Sequence, residues 1–259
     1  MLSGRLEERG IDTSHEGPRD RGISIPSSRA FVAVAINPCV ETLVGKYAVD
    51  NQFLAGQGYV TVSIDYRLAG EALFPAQIHD VKTSVRWLRA HATELMIDPS
   101  RIGVWGISAG GHLAGLVGTS SGIRELEGED GGWADQDSSV QAVASVCGPM
   151  LFNELSWIHG EGPFPLFGER IKDVPETAAL ASPFTHVSPY TPPFAFVHGK
   201  QDAVVPVVQS RLMHERLLEA ERPTELHMIE GGHEINMTHQ VEMQRYLSAF
   251  FSRALKHTV

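Results

Sequence analysis

Gly106-Ile107-Ser108-Ala109-Gly110 decides how this chain is read, because it joins a β-rich run at 101–105 to small residues that can open a helix. A serine on a sharp strand-to-helix turn needs small neighbours, since the backbone there is strained and larger side chains would strike adjacent elements. With 25 glycines in 259 residues the five letters alone are weak, and the residues around them must carry the argument.

Upstream, 31–37 and 59–66 are β-rich runs, with a helix expected over 41–56 between them. Ile78, Val81, Val85, Leu88 and Ala92 fall on one face of a helix expected over 77–96, which Asp98-Pro99 should end before the strand that feeds Ser108. Downstream, strands are expected at 140–146, 194–198 and 225–229, and helices at 207–220 and 239–255. Short apolar strands alternating with helices predict an α/β fold, a mostly parallel central sheet with helices on both faces. Residues 1–30 lack a clear period and read as an N-terminal arm with at most an edge strand at 23–25, while 31–259 read as a single domain. Within it, about 148–193 breaks into proline, glycine and aromatic residues, which predicts a small loop-rich cap. The acidic, glycine-rich stretch 125–137 is expected to be a solvated loop.

A nucleophilic serine needs a base to take its proton, an acid to orient that base, and donors for the oxyanion. Asp202 lies in His198-Gly199-Lys200-Gln201-Asp202, just beyond the apolar run 194–197. His233 follows the next strand in Glu230-Gly231-Gly232-His233, where two glycines let the loop bend back over the sheet edge. The order Ser108, Asp202, His233 is that of an α/β-hydrolase. Among the 12 histidines, His112 and His198 are the nearest rivals as base, but one lies on the helix after the serine and the other ends a strand. Packing or supporting roles are expected for both.

From Val62 to Gly122 the chain resembles the esterase and lipase branch of the α/β-hydrolases, especially the BD-FAE-like group near feruloyl and acetyl esterases. The residues that carry the resemblance are Asp65-Tyr66-Arg67-Leu68, Phe74-Pro75-Ala76-Gln77, Val85-Arg86-Trp87-Leu88 and the run from Gly106 to His112. Ser182-Pro183, Pro192-Pro193-Phe194, the run from His198 to Pro206 and Gly231-Gly232-His233 continue it. The resemblance implies Ser108 as nucleophile, Asp202 as orienting acid and His233 as general base, with no cofactor and no metal. It gives Arg67 and Asp80 a structural role, anchoring the loop after the second strand to the following helix.

One departure bears on the chemistry. Where the group ends its first core strand with a glycine-rich oxyanion loop, this chain has Ile36-Asn37-Pro38-Cys39-Val40. The Ala109 amide remains as one oxyanion donor, but Pro38 has no amide hydrogen to offer. The amide of Cys39 or Val40, or the side chain of Asn37, is the expected substitute. Trp157, Phe164 and Phe167 in the cap are candidates to line the substrate pocket.

Composition narrows the partners. A formal charge of -10 disfavours nucleic acid and anionic membrane surfaces. No run is long enough to span a bilayer, no secretory leader is evident, and Cys39 and Cys147 have no metal-like spacing, so a cytoplasmic location is expected. A serine carboxylic-ester hydrolase acting on small acyl or aromatic esters is therefore the leading expectation. A noncatalytic binding protein of the same fold and an amidase or arylformamidase are the alternatives.

Overall fold

The computed structural model describes residues 30–36, 51–128, 131–152 and 162–256. Six strands, β1 (Ala30–Ile36), β2 (Tyr59–Ile64), β3 (Ile97–Ile107), β4 (Ala142–Val146), β5 (Phe194–Gly199) and β6 (Thr224–Ile229), form one sheet in the order β2-β1-β3-β4-β5-β6. Every pairing is parallel. All C-terminal strand ends therefore open on the same edge, where loops from different strands can meet.

The two faces of the sheet differ in side-chain size. Val32, Val34, Ile102, Val104, Val143, Phe194 and Phe196 point to one face, where they meet α2 (Ala76–Ala90), α3 (Ala109–Thr119) and α6 (Val208–Glu219). Alternate residues Ala33, Ala35, Ala144 and Ala195 point to the other, with Trp105 as the one large exception among these strand centres. Phe250 and Phe251 of α8 (Gln240–Phe251) fill the space that the alanines leave. Gly103 belongs to this fit, since a Cβ there would run into the Phe251 ring.

The helix expected over 77–96 ends at Ala90. His91 turns its Nδ1 back to the Trp87 carbonyl at 2.8 Å and stacks on that indole, and Met96 takes a left-handed backbone (φ 54°) just before β3 begins. Asp98 and Pro99 thus lie within β3, at a shift in its pairing with β1, where a missing amide hydrogen is tolerated. The helix expected over 239–255 likewise stops at Phe251 and continues as a π-helical turn, Ser252–Lys256. Of the helix expected over 41–56, only α1 (Gln52–Ala55) falls among the described residues; the edge strand at 23–25 and all of the arm expected over 1–30 except Ala30, which opens β1, lie outside them. The stretch 148–193 contains a helix, α5 (Pro175–Leu180), and two 3-10 turns, Ile171–Asp173 and Pro183–His186. Arg67 grips Asp80 through Nε and Nη2 at 2.9 Å, which ties the loop after β2 to α2.

The stretch 125–137 is the solvated loop expected only in part: Gly132, Ala134, Asp135 and Asp137 are exposed, but Leu126 and Glu127 turn inward. Lys82 of α2 is fully buried, and its Nζ lies 2.7 Å from Glu127 Oε1 and 2.6 Å from the Ser120 carbonyl. Arg86, also buried, donates to the carbonyls of Glu127 at 2.7 Å and Gly128 at 2.9 Å. Two cations on the inner face of a helix cannot be left without acceptors, and the short helix α4 (Arg124–Glu127) turns inward to supply them. Burial pulls the Lys82 ammonium below its ordinary value, against the opposing pull of Glu127. Glu127→Ala would leave a buried, uncompensated ammonium, and a loss of about 3 kcal/mol in urea-denaturation stability is expected, with much less for the exposed Glu125→Ala.

Candidate functional site

β3 runs into Ser108, which takes φ 55° and ψ −117°, a conformation that non-glycine residues reach only under strain. The turn is held by two bonds: the Ser108 amide donates to the Val146 carbonyl at 2.8 Å, and the His112 amide donates to the Ser108 carbonyl at 2.9 Å. It also depends on missing atoms. A Cβ on Gly106 would overlap the backbone of Gly110, and one on Gly111 would come within 2.8 Å of Ser145 Oγ. The strand and helix can pack this closely only because those positions are glycine.

Asp202 lies on the loop after β5 and His233 on the loop after β6, adjacent strands whose ends share the sheet edge. The two loops are stitched together. The Gln201 amide donates to the Gly231 carbonyl at 2.9 Å, and its side-chain oxygen accepts from the Gly231 amide at 2.6 Å. Gln201 Nε2 also donates to Glu230 at 2.8 Å, and Lys200 pairs with the same carboxylate. Gly199 is required here, since a Cβ would strike the Gly232 carbonyl. Gln201 escaped the sequence reading, although it stands within the quoted run from His198 to Pro206; nothing in its type marks it as a clamp between loops.

With the loops fixed, the three side chains meet in a line. His233 Nε2 lies 2.9 Å from Ser108 Oγ, and its Nδ1 lies 2.7 Å from Asp202 Oδ2. A carboxylate only accepts, so Nδ1 carries the hydrogen and Nε2 presents its lone pair to the serine hydroxyl. The His233 side chain is 22% exposed and that of Asp202 is fully covered. The second carboxylate oxygen, Oδ1, accepts from the amides of Val204 and Val205 at 2.9 and 2.8 Å. Burial would raise the Asp202 acid, but hydrogen bonds from His198, His233 and the Val205 amide outweigh it and hold the group well below the usual carboxylate range. The acid stays ionised across any neutral or mildly acidic pH.

Ala109 opens α3, where first-turn amides have no acceptor within the helix and the helix dipole favours negative charge. Asn37, Cys39, Val40 and Trp157 lie outside the described residues. Phe164 and Phe167 belong to an aromatic cluster with Phe152, their own ring centroids 5.5 Å apart. Phe167 is buried against Phe74, and Phe164 is only partly covered. The cluster reaches α3 through His112, whose ring meets Phe152 edge-on at 5.0 Å. Cys147 Sγ and the ligand atoms of His198 and Asp202 lie within 4.8 Å of one another, the one grouping of metal-ligating type among the described residues.

His112 is not a second base. It is buried, and its Nε2 donates to the Ala181 carbonyl at 2.6 Å, pinning the end of α5 to the serine-bearing helix. Burial pushes its imidazole down to about 4, although the Ala181 carbonyl pulls the other way. The unfolded chain therefore binds a proton that the folded chain refuses between about pH 6.5 and 4. This contribution to stability is whole above the unfolded value and is lost as the pH falls toward the folded one. His112→Gln, which keeps an N–H donor without the titration, should lose less stability between pH 7 and 4.5 than the wild type, by on the order of 2 kcal/mol in paired urea melts.

The BD-FAE family model matches residues 44–217. Among curated proteins, the chain is 38% identical over 179 residues to Esterase LipC of Mycobacterium tuberculosis, covering 66% of this chain and 43% of that protein. It is 31% identical over 203 residues to Esterase LipQ of the same organism, covering 75% and 47%. The chain thus spans less than half the length of these relatives. Among solved structures, a truncated form of carbohydrate esterase from gut microbiota superimposes with a TM-score of 0.80 at 26% identity, covering 90% of this chain and 88% of that one.

Proposed function

The chain belongs to the BD-FAE family, and on that premise we propose that it is a serine carboxylic-ester hydrolase. The observation that carries the reading is the continuous hydrogen-bonded line from Ser108 through His233 to Asp202, set at a strained strand-to-helix turn. In this reading His233 Nε2 takes the Ser108 proton as Oγ attacks the ester carbonyl, and Asp202 stabilises the imidazolium that forms. The tetrahedral intermediate collapses by expelling the alcohol, which takes the proton back from His233. Water then attacks the acyl-serine by the same route and frees the acid.

The Ala109 amide faces the oxyanion in this scheme. The second donor comes from the stretch after β1, where Asn37, Cys39 and Val40 stand and Pro38 cannot serve. The relatives carry the name esterase and the superimposable structure the name carbohydrate esterase, which favours small acyl esters, acylated carbohydrates among them, as substrates. Of the cap aromatics, Phe164 is partly covered and is our candidate to line the pocket for them, whereas Phe167 is buried in the packing. No helix among the described residues is long and apolar enough to cross a membrane. Cys147, buried and unpaired, suits a reducing compartment such as the cytoplasm.

A panel of p-nitrophenyl esters of rising acyl length tests the reading. Ser108→Ala is expected to lower kcat by at least about 10,000-fold at every chain length, and Asp202→Asn by roughly the same factor through the wrong His233 tautomer. Release that does not depend on Ser108 sinks the proposal. Asn37→Ala separates the oxyanion donors: a fall of roughly 100-fold in kcat with little change in KM assigns the side chain, and unchanged turnover passes the role to the Cys39 or Val40 amide.

A further inference from the structure

A second histidine stands 3.3 Å from the Asp202 carboxylate. His198 ends β5 and is fully buried, as is Ser210 on α6. The His198 Nε2 lies 2.7 Å from the Val205 carbonyl and 3.3 Å from Asp202 Oδ2; its Nδ1 lies 2.7 Å from Ser210 Oγ. A carbonyl cannot donate, so Nε2 carries a hydrogen, which it gives to Val205, and the carboxylate lies 3.3 Å from the same polarised N–H. Nδ1 is then free to accept from the Ser210 hydroxyl. Because Nε2 offers a hydrogen and no lone pair, the grouping with Cys147 and Asp202 is a hydrogen-bond network and not a metal site.

We infer that His198 is a positioning residue for catalysis, holding the Asp202 carboxylate in a chain of contacts that runs Ser210, His198, Asp202, His233, Ser108. This rests on the reading of Ser108, His233 and Asp202 as a catalytic triad. The same oxygen, Oδ2, receives both imidazoles. Its charge is therefore divided, part bound by the static His198 hydrogen and part left for the imidazolium that forms on His233 during turnover. Cys147, just after β4, completes the enclosure: its thiol lies within 4.8 Å of the polar atoms of His198 and Asp202, and burial keeps it protonated by raising it far above an ordinary thiol. The charged and titratable groups facing the line are thus Asp202, Cys147 and, on the loop that bears His233, Glu234. Asp202 cannot turn to seek water in place of His198, because the two amides on Oδ1 fix the plane of the carboxylate.

The His198 donor has a signed kinetic consequence. Without it, more of the Asp202 charge falls on the imidazolium that forms during turnover, and the acid limb of kcat/KM moves upward. His198→Asn is too short to reach Asp202, whereas His198→Gln can place an N–H near the position of Nε2. For His198→Asn on a p-nitrophenyl ester, kcat should fall roughly 10- to 100-fold with KM little changed, and the acid limb should rise by about half a pH unit or more. His198→Gln should recover most of both. Ser210→Ala, which leaves the histidine in place but without its donor, should move the limb in the same direction by less, and it decides the matter if His198→Asn does not fold. A folded His198→Asn with wild-type kcat and acid limb overturns the inference, as does His198→Gln impaired as deeply as His198→Asn, or an unmoved limb in Ser210→Ala. The parent reading fails separately: activity surviving in Ser108→Ala removes the triad, whereas activity abolished there beside an unmoved His198→Asn profile removes only the role of His198.

Discussion

The left-handed backbone of Ser108 is the constraint on which the rest of the site depends. Such a conformation costs roughly 1–3 kcal/mol for a residue with a side chain, and it persists only where the surroundings leave no alternative. Here the Val146 carbonyl takes the Ser108 amide and α3 takes its carbonyl. The close approach of Gly106 to Gly110 closes the remaining space. What the strain accomplishes is direction: the hydroxyl is set on the sheet edge, in line with His233, instead of along the surface of a helix.

A parallel sheet does the remaining positioning. Because β3, β5 and β6 all end on one edge, three residues separated by 125 and 31 positions in sequence converge without any long excursion of the chain. The convergence is then locked by contacts among the loops themselves, with Gln201 and Glu230 joining the Asp202 loop to the His233 loop. The alternation of large and small residues on the strands serves the same end, since the alanine face admits the aromatic helix α8.

Strand positions and the meeting of Ser108, Asp202 and His233 were legible because each depends on local pattern: apolar runs, flanking glycines and the loop that follows a strand. Helix ends were less so. The end of α2 at Ala90 is set by the turn of His91 onto Trp87 and by the left-handed Met96, neither of which has a periodicity. The stretch 125–137 misled in part, for a related reason. Its acidic composition suited solvent, yet Lys82 and Arg86, more than 40 positions earlier, had already been buried by the apolar face they share and required an anion and carbonyls to come to them. Composition describes a segment; burial is a property of pairs. Gln201 and Ser210 were illegible on the same ground, since their importance lies wholly in what they touch.

Three histidines show how far environment outranks residue type. His112 is sealed among apolar groups and a single carbonyl, and burial drives its proton off. His233 stands partly in solvent between a hydroxyl and a carboxylate. His198 sits between a hydroxyl and the same carboxylate, but a second acceptor, the Val205 carbonyl, commits its Nε2 hydrogen in place. Two imidazoles thus meet one oxygen in different settings, one with its Nε2 hydrogen committed to a carbonyl and the other with its Nε2 facing a hydroxyl. The arrangement follows from the burial of Asp202: a carboxylate withdrawn from water needs every lone pair satisfied, and only one of its partners can be spared for chemistry.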